Sequence, residues 1–259
     1  MSLLVFQTFC ALIRRDIAVF LPTWKDRFIN AIIWCVLTVL VFEHIMPTIG
    51  LKGHGVFVAI GTAASWGFFE VMENVAKFVA DLEGDRSLSY YLTLPMPQWA
   101  VFTRLALSNA IQAILISILF LPISKLLLWN QFSFAKTSFF KLGIILIIIH
   151  VFYGFFSLFL SARMQTVATM GNVWMRIVYP LWWLGCFQFS WQTLHKLSPR
   201  VAYIDLLNPL VYALEGIRSS ILGQEGFIPF WYCVGALVVL TIFVGVLGTK
   251  QLMRRLDCL

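Results

Sequence analysis

Six apolar stretches constrain this chain more than any other feature, because each approaches the roughly 20 residues that an α-helix needs to cross the hydrocarbon core of a bilayer. They fall at residues 28–46, 54–73, 101–121, 141–161, 173–191 and 229–248. Backbone in lipid has to satisfy its own polar groups, so these stretches predict an all-α polytopic membrane protein with six transmembrane helices. Of the 259 residues 60% are hydrophobic and only 12% charged, which excludes an ordinary soluble domain and a disordered chain. Little remains for a second domain, and residues 1–259 read as one transmembrane unit.

Ahead of the first span, Leu3 to Ile13 is apolar, but Arg14 and Arg15 follow it rather than precede it, which is the wrong order for a cleavable signal. Gln7, Ala11, Arg14 and Ala18 share one helical face, so residues 1–24 read as an interfacial helix that Pro22 would end. With both termini in the cytoplasm, twelve Lys and Arg lie inside and seven outside, in line with the positive-inside rule. The net charge of +7 therefore reads as topology and contact with anionic membrane lipids. No basic, aromatic-interleaved soluble surface is present to hold nucleic acid.

Nucleotide, metal and hydrolase motifs are absent. There is no GxxxxGK[ST], so the chain has no recognisable phosphate cradle of its own. His44, His54, His150 and His195 lack metal-ligand spacing, and the five cysteines are isolated, without CxxC. A membrane-embedded enzyme stays open as a rival class because its acid and base can come from distant helices, as does an assembly factor. No residue pair singles itself out for catalysis, and His150 reads as a hydrogen-bonded packing residue.

Between the fifth and sixth stretches lies a helix too short to span. Asn208 is a natural N-cap, Pro209 suits the first helical position, and Gly223 supplies the stop. Leu210, Leu214, Ile217 and Ile221 form one face, while Glu215, Arg218, Ser219 and Ser220 lie towards the other. Glu215 and Arg218, one turn apart, are positioned to pair. If such a pair is buried, losing one partner costs more than losing both; a solvated rim pair is worth about 1 kcal/mol at most.

Other polar positions fall into stripes. The second helix should continue past the membrane to about Leu82, with Glu70, Glu73 and Lys77 on one face as a solvated or protein-facing end. After Gly84, residues 85–97 suit a short helix stopped by Pro95 and Pro97, with Leu88, Tyr91 and Leu92 making an apolar face that needs a cover. Arg104, Ser108 and Gln112 recur four apart, as do His150 and Gly154; lipid cannot satisfy them, so they face protein or a watery route. Ala59, Ala63 and Gly67 form a small-residue seam that would admit another helix, a second copy of the chain included. Trp182, Trp183 and Phe187 crowd the outer end of the fifth stretch; an interfacial aromatic belt and stacking platforms for sugar rings both explain them.

These features together resemble the ABC-2 type exporter permeases, a family that also includes O-antigen, capsule and teichoic-acid exporters. The resemblance is carried by Arg14, Arg15 and Asp16 in the first helix, by Leu92-Thr93-Leu94-Pro95, by Pro180 in the fifth span, and above all by Leu207-Asn208-Pro209-Leu210-Val211-Tyr212 followed by Glu215, Arg218 and Gly223. It implies that residues 85–97 are a coupling helix docking on an ATP-hydrolysing subunit, with Arg86, Leu88, Tyr91, Leu92 and Pro95 at the contact. It also implies outer re-entrant helices at 200–223, with Asn208, Pro209, Glu215 and Arg218 as motif and gate. Two permease copies, expected as a homodimer, would pair with two ABC ATPase subunits that hold the ATP and Mg, this chain binding no cofactor. The setting would be a bacterial inner membrane. Arg104, Gln112, Trp182, Trp183 and Phe187 are the candidate substrate path. The substrate would be an amphiphile, with a lipid-linked glycan or polysaccharide ahead of a drug or lipid.

Overall fold

The computed structural model describes residues 3–50, 53–84 and 87–257, and among them every regular element is helical. Asp85, Arg86 and the terminal residues 1–2 and 258–259 lie outside the described residues. The chain opens with α1 (Leu3–Phe20), a 3-10 turn at Leu21–Thr23, and α2 (Trp24–Val39). Pro22 was expected to end the first helix, but it occupies the start of that 3-10 turn, where a proline's missing N–H costs nothing. Phe20 and Trp24 keep right-handed helical angles on either side, so α1 runs on into the first span.

Next come α3 (Gly55–Glu83), the short α4 (Ser87–Leu92), α5 (Gln98–Leu127) and α6 (Phe139–Arg163). The 29 residues of α3 extend well beyond a bilayer core, as its apolar run and charged tail predict. α3 packs against α5 and α6, and α6 lies along the last helix. Small residues set these crossings. At Gly154 of α6 the backbone of α5 passes so close that an added Cβ would strike the Ala106 carbonyl. At Gly67 of α3 it would come within 2.7 Å of the His150 ring.

That packing corrects the small-residue seam. Ala59, Ala63 and Gly67 are closed by this chain's own helices rather than left for a second copy. The most apolar window of α3 is 78% buried, against 22% for the first and last spans. Any partner in the membrane therefore meets the outer helices, not α3.

Among the described residues five helices are long and apolar enough to cross a membrane; the segment expected as the fifth of six spans is built differently. Residues 167–184 join a 3-10 turn (Val167–Thr169), α7 (Met170–Val173), a wide π turn (Trp174–Val178) and α8 (Tyr179–Leu184). Pro180 cannot donate to the preceding turn, and Gly185 ends the run. The chain then forms α9 (Trp191–Leu197), α10 (Pro199–Asp205), α11 (Pro209–Leu222) and α12 (Phe230–Asp257).

The caps read from sequence hold for α11. The Asn208 side-chain oxygen accepts the Leu210 N–H at 3.0 Å, Pro209 takes the first turn, and Gly223 stops the helix at φ 99°. Its amphipathic reading does not hold, because both faces are buried, Glu215 and Arg218 included. α3, α6, α8 and α12 surround it.

Candidate functional site

Polar groups concentrate at the two ends of α3. Phe57 and Asp81 mark them, 24 residues apart and so separated by roughly 36 Å at the α-helical rise.

At the Phe57 end stands Arg218, fully buried. Its Nε donates to the Phe57 carbonyl at 3.1 Å, and its two terminal nitrogens donate to the carbonyls of Cys186 and Phe187 at 2.5 and 2.6 Å. The guanidinium also lies 3.6 Å from the centre of the Phe57 ring. Cys186 makes this possible by adopting a left-handed φ of 63°, which turns the chain after α8 so that successive carbonyls meet one fork. Such a conformation costs a non-glycine residue about 1 kcal/mol or more, so the bonds to Arg218 hold it in place.

Glu215 is bonded separately. Its two oxygens accept the Trp191 N–H at 2.9 Å and the Ile228 N–H at 3.0 Å, pinning the start of α9 and the loop before α12. Among the described residues no ion pair joins Glu215 to Arg218. The sequence-level pairing is thereby corrected: both groups are buried, yet each grips backbone instead of its neighbour. α11 lies outside the five spans. Burial raises the Glu215 carboxyl despite its two N–H donors and lowers Arg218 to about 10, which leaves the guanidinium charged at neutral pH.

Asn208 extends the same brace. Besides capping α11, its amide donates to the Leu181 carbonyl of α8 at 2.8 Å. The aromatic residues assigned to a substrate path meet here. Phe187 is buried with its carbonyl on Arg218, Trp182 lies tilted against Phe187 and Phe69, and Trp183, 55% exposed, meets Trp182 edge-on with ring centres 5.0 Å apart.

At the Asp81 end the short helix α4 is clasped from two sides. Asp81 accepts the backbone N–H groups of Ser87 and Leu88 at 3.0 Å each, and also the Ser87 hydroxyl, so it serves as an N-cap supplied by α3. Leu88 is buried against Leu82, Val101 and Phe102, with Tyr91 and Leu92 packed on the same cluster. The apolar face expected to dock on a partner is thus turned inward and covered by the chain itself. Ser89, Tyr90, Thr93 and Pro95 form the outward side. Arg86 lies outside the described residues.

Tyr91 reaches the second buried arginine. Arg15 of α1 and Arg104 of α5 place their guanidinium carbons 4.9 and 4.8 Å from the centre of its ring. Both also bind Asp16, Arg15 at 2.8 Å and Arg104 through its Nη1, and the Ser108 hydroxyl donates to the same carboxylate at 2.7 Å. Arg27 of α2 bridges Glu70 and Glu73 at 2.9 and 2.7 Å, and Lys77 donates to Glu73 at 2.5 Å. Glu70 is buried against Arg27 while Glu73 and Lys77 stay exposed, so this end of α3 combines the solvated and protein-facing readings its spacing allowed.

Between α1, α3 and α5 these side chains line a cavity of about 390 Å³ that includes Arg104, Ser108 and Gln112. The stripe therefore faces a polar space, as its spacing predicts. A second cavity of about 250 Å³ shares Asn74, Lys77, Tyr91 and Asn109 with the first. His150 faces neither cavity: its ring nitrogens meet the Ser117 hydroxyl at 2.6 Å and the Leu146 carbonyl at 2.7 Å, a packing role.

Sequence reasoning missed Asp16, Asp81 and Cys186 as structural partners. A lone carboxylate beside two arginines in an apolar helix was the available signal for Asp16; no local pattern announces the other two. A family model described as ABC-2 type transporter matches residues 7–222, from within α1 to the last residue of α11. No curated protein matches the chain.

Proposed function

The chain belongs to the ABC-2 type transporter family, and from that premise we propose that it is the membrane-spanning subunit of an ATP-driven exporter that moves an amphiphile out of the cytoplasm. The observation that carries the reading is α4. Asp81 caps it and Leu88 anchors it, while Ser89 and Tyr90 face outward for an ATP-hydrolysing subunit that holds the nucleotide and Mg. A push on that outward side reaches α1 and α5 through Tyr91.

The polar cavity beside the apolar α1 favours a substrate with a polar head and a lipid tail, so a lipid-linked glycan or polysaccharide ranks ahead of a drug. Two copies of the chain would work with two ATPase subunits in a bacterial inner membrane, both termini cytoplasmic. The exposed first and last spans leave room for the second copy.

Reconstitution with the ATPase in sealed vesicles tests this. ATP should drive movement of a lipid-linked glycan, and Tyr90→Ser should lower transport while insertion in the membrane is unchanged. ATP hydrolysis by the chain alone, or glycan movement without ATP, overturns the reading.

A further inference from the structure

The cavity between α1, α3 and α5 carries an unbalanced charge. Arg15, Arg27, Lys77 and Arg104 line it together with a single carboxylate, Asp16. Glu70 and Glu73 stand behind Arg27 and Lys77 and neutralise them. What remains is two guanidinium groups, Arg15 and Arg104, sharing one carboxylate. Arg104 is buried, with its side chain 1% exposed, and its Nε and Nη2 have no acceptor among the described residues. A buried charged donor left without a partner is costly, and a guanidinium fork is matched by a tetrahedral anion that offers two oxygens at once.

We propose that this cavity is a binding site for a phosphate group, held by Arg104 and Arg15 and hydrogen-bonded by the neutral side chains of the wall. Asn109 and Gln112 supply amide donors there, and Val19, Phe20 and Leu105 provide an apolar border suited to the ester or lipid attached to the phosphate. Tyr91 covers both guanidinium groups, so a bound phosphate lies against α4, the helix that faces the proposed ATPase. The site stands apart from the export reading, because binding is measured on this chain with no ATPase and no transport.

The purified full-length chain in phosphatidylcholine vesicles is titrated with inorganic pyrophosphate, and in a second arm the vesicles carry increasing phosphatidylglycerol without pyrophosphate. Calorimetric titration and the thermal unfolding midpoint are read in both. Saturable stabilisation by pyrophosphate identifies a water-soluble phosphate as the source, and stabilisation confined to phosphatidylglycerol identifies a lipid headgroup; either supports the site. Arg15→Gln removes the surplus charge yet keeps the Asp16 to Arg104 bond, and it should weaken binding about tenfold, as should Arg104→Gln. If Arg104→Gln loses its fold, Arg15→Gln decides alone. No saturable effect in either arm, or wild-type affinity in the folded variants, overturns the proposal.

Discussion

Arg218 and Arg104 are both buried, and they stand at opposite ends of α3, but their surroundings treat them oppositely. Arg218 spends its Nε and both terminal nitrogens on three backbone carbonyls from two separate segments. Arg104 is bound through one nitrogen to a side chain on α1, shares that side chain with Arg15, and leaves two nitrogens without an acceptor among the described residues. A guanidinium saturated by main chain fixes the relative position of the segments it joins. One held by a shared carboxylate has a second arrangement within reach. Rigidity thus belongs to the buried helix α11, and the capacity to respond belongs to the end that carries α4.

The comparison breaks most directly at Arg218. Arg218→Met would leave the buried Cys186 and Phe187 carbonyls unpaired and release the left-handed turn at Cys186, with an expected loss on the order of 3 kcal/mol or more in unfolding free energy. Arg218→Lys should rescue little of it, since an ammonium does not present the planar fork. Folded yield and detergent unfolding curves check both. Near-wild-type stability would show that the carbonyls find other donors and that the Phe57 end of α3 is not braced by this residue.

Next in size is α4, whose two sides should separate. Leu88→Ala removes a side chain from the cluster with Leu82 and Phe102 and should cost about 2–4 kcal/mol of stability. Tyr90, 65% exposed, should tolerate serine within about 0.5 kcal/mol. Equal destabilisation by the two changes would mean that α4 sits differently on the bundle.

Glu215 sharpens the contrast at lower cost. Glu215→Gln keeps one acceptor oxygen of the two, so the expected loss is about 1–3 kcal/mol. Because Glu215 and Arg218 hold different segments, the double change should cost more than either single. Their spacing in the sequence suggests a mutual pair, for which the opposite order would hold. A double variant more stable than Arg218→Met would restore that pairing.

These residues also show what the sequence makes legible. Helix boundaries and caps depend on local chemistry, so Asn208, Pro209 and Gly223 delimit α11 as expected, and α3 runs its full length. The family follows from the same strings, and its model covers most of the chain. Partner choice is different. Arg218 bonds to carbonyls 31 to 161 residues away, and a carbonyl carries no residue-type signal. Leu88, Tyr91 and Leu92 illustrate the same limit, since periodicity reveals an apolar face without saying whether α1 and α5 or another subunit covers it. The segment 167–184 departs from a regular span because Pro180 and Gly185 act on geometry that hydropathy alone does not weigh.

The last expected effect depends on pH and concerns Asp205, a soft point in the braced Phe57 end. It is buried at the end of α10 with only long contacts, to the Asn208 amide at 3.5 Å and the Cys186 thiol at 3.7 Å. Burial outweighs these and pushes its carboxyl up to about 6 from an ordinary value of 3.8. A folded-state value above the unfolded one means that the folded chain holds the proton more tightly. The resulting stability is fully present below pH 3.8 and is lost as pH rises through about 6. Unfolding midpoints of wild type and Asp205→Asn should therefore converge at the acid end of that window and diverge towards neutrality, with the variant the more stable above pH 6. A difference that is constant across the window would show that the carboxyl does not titrate there, and that the amide alters packing alone.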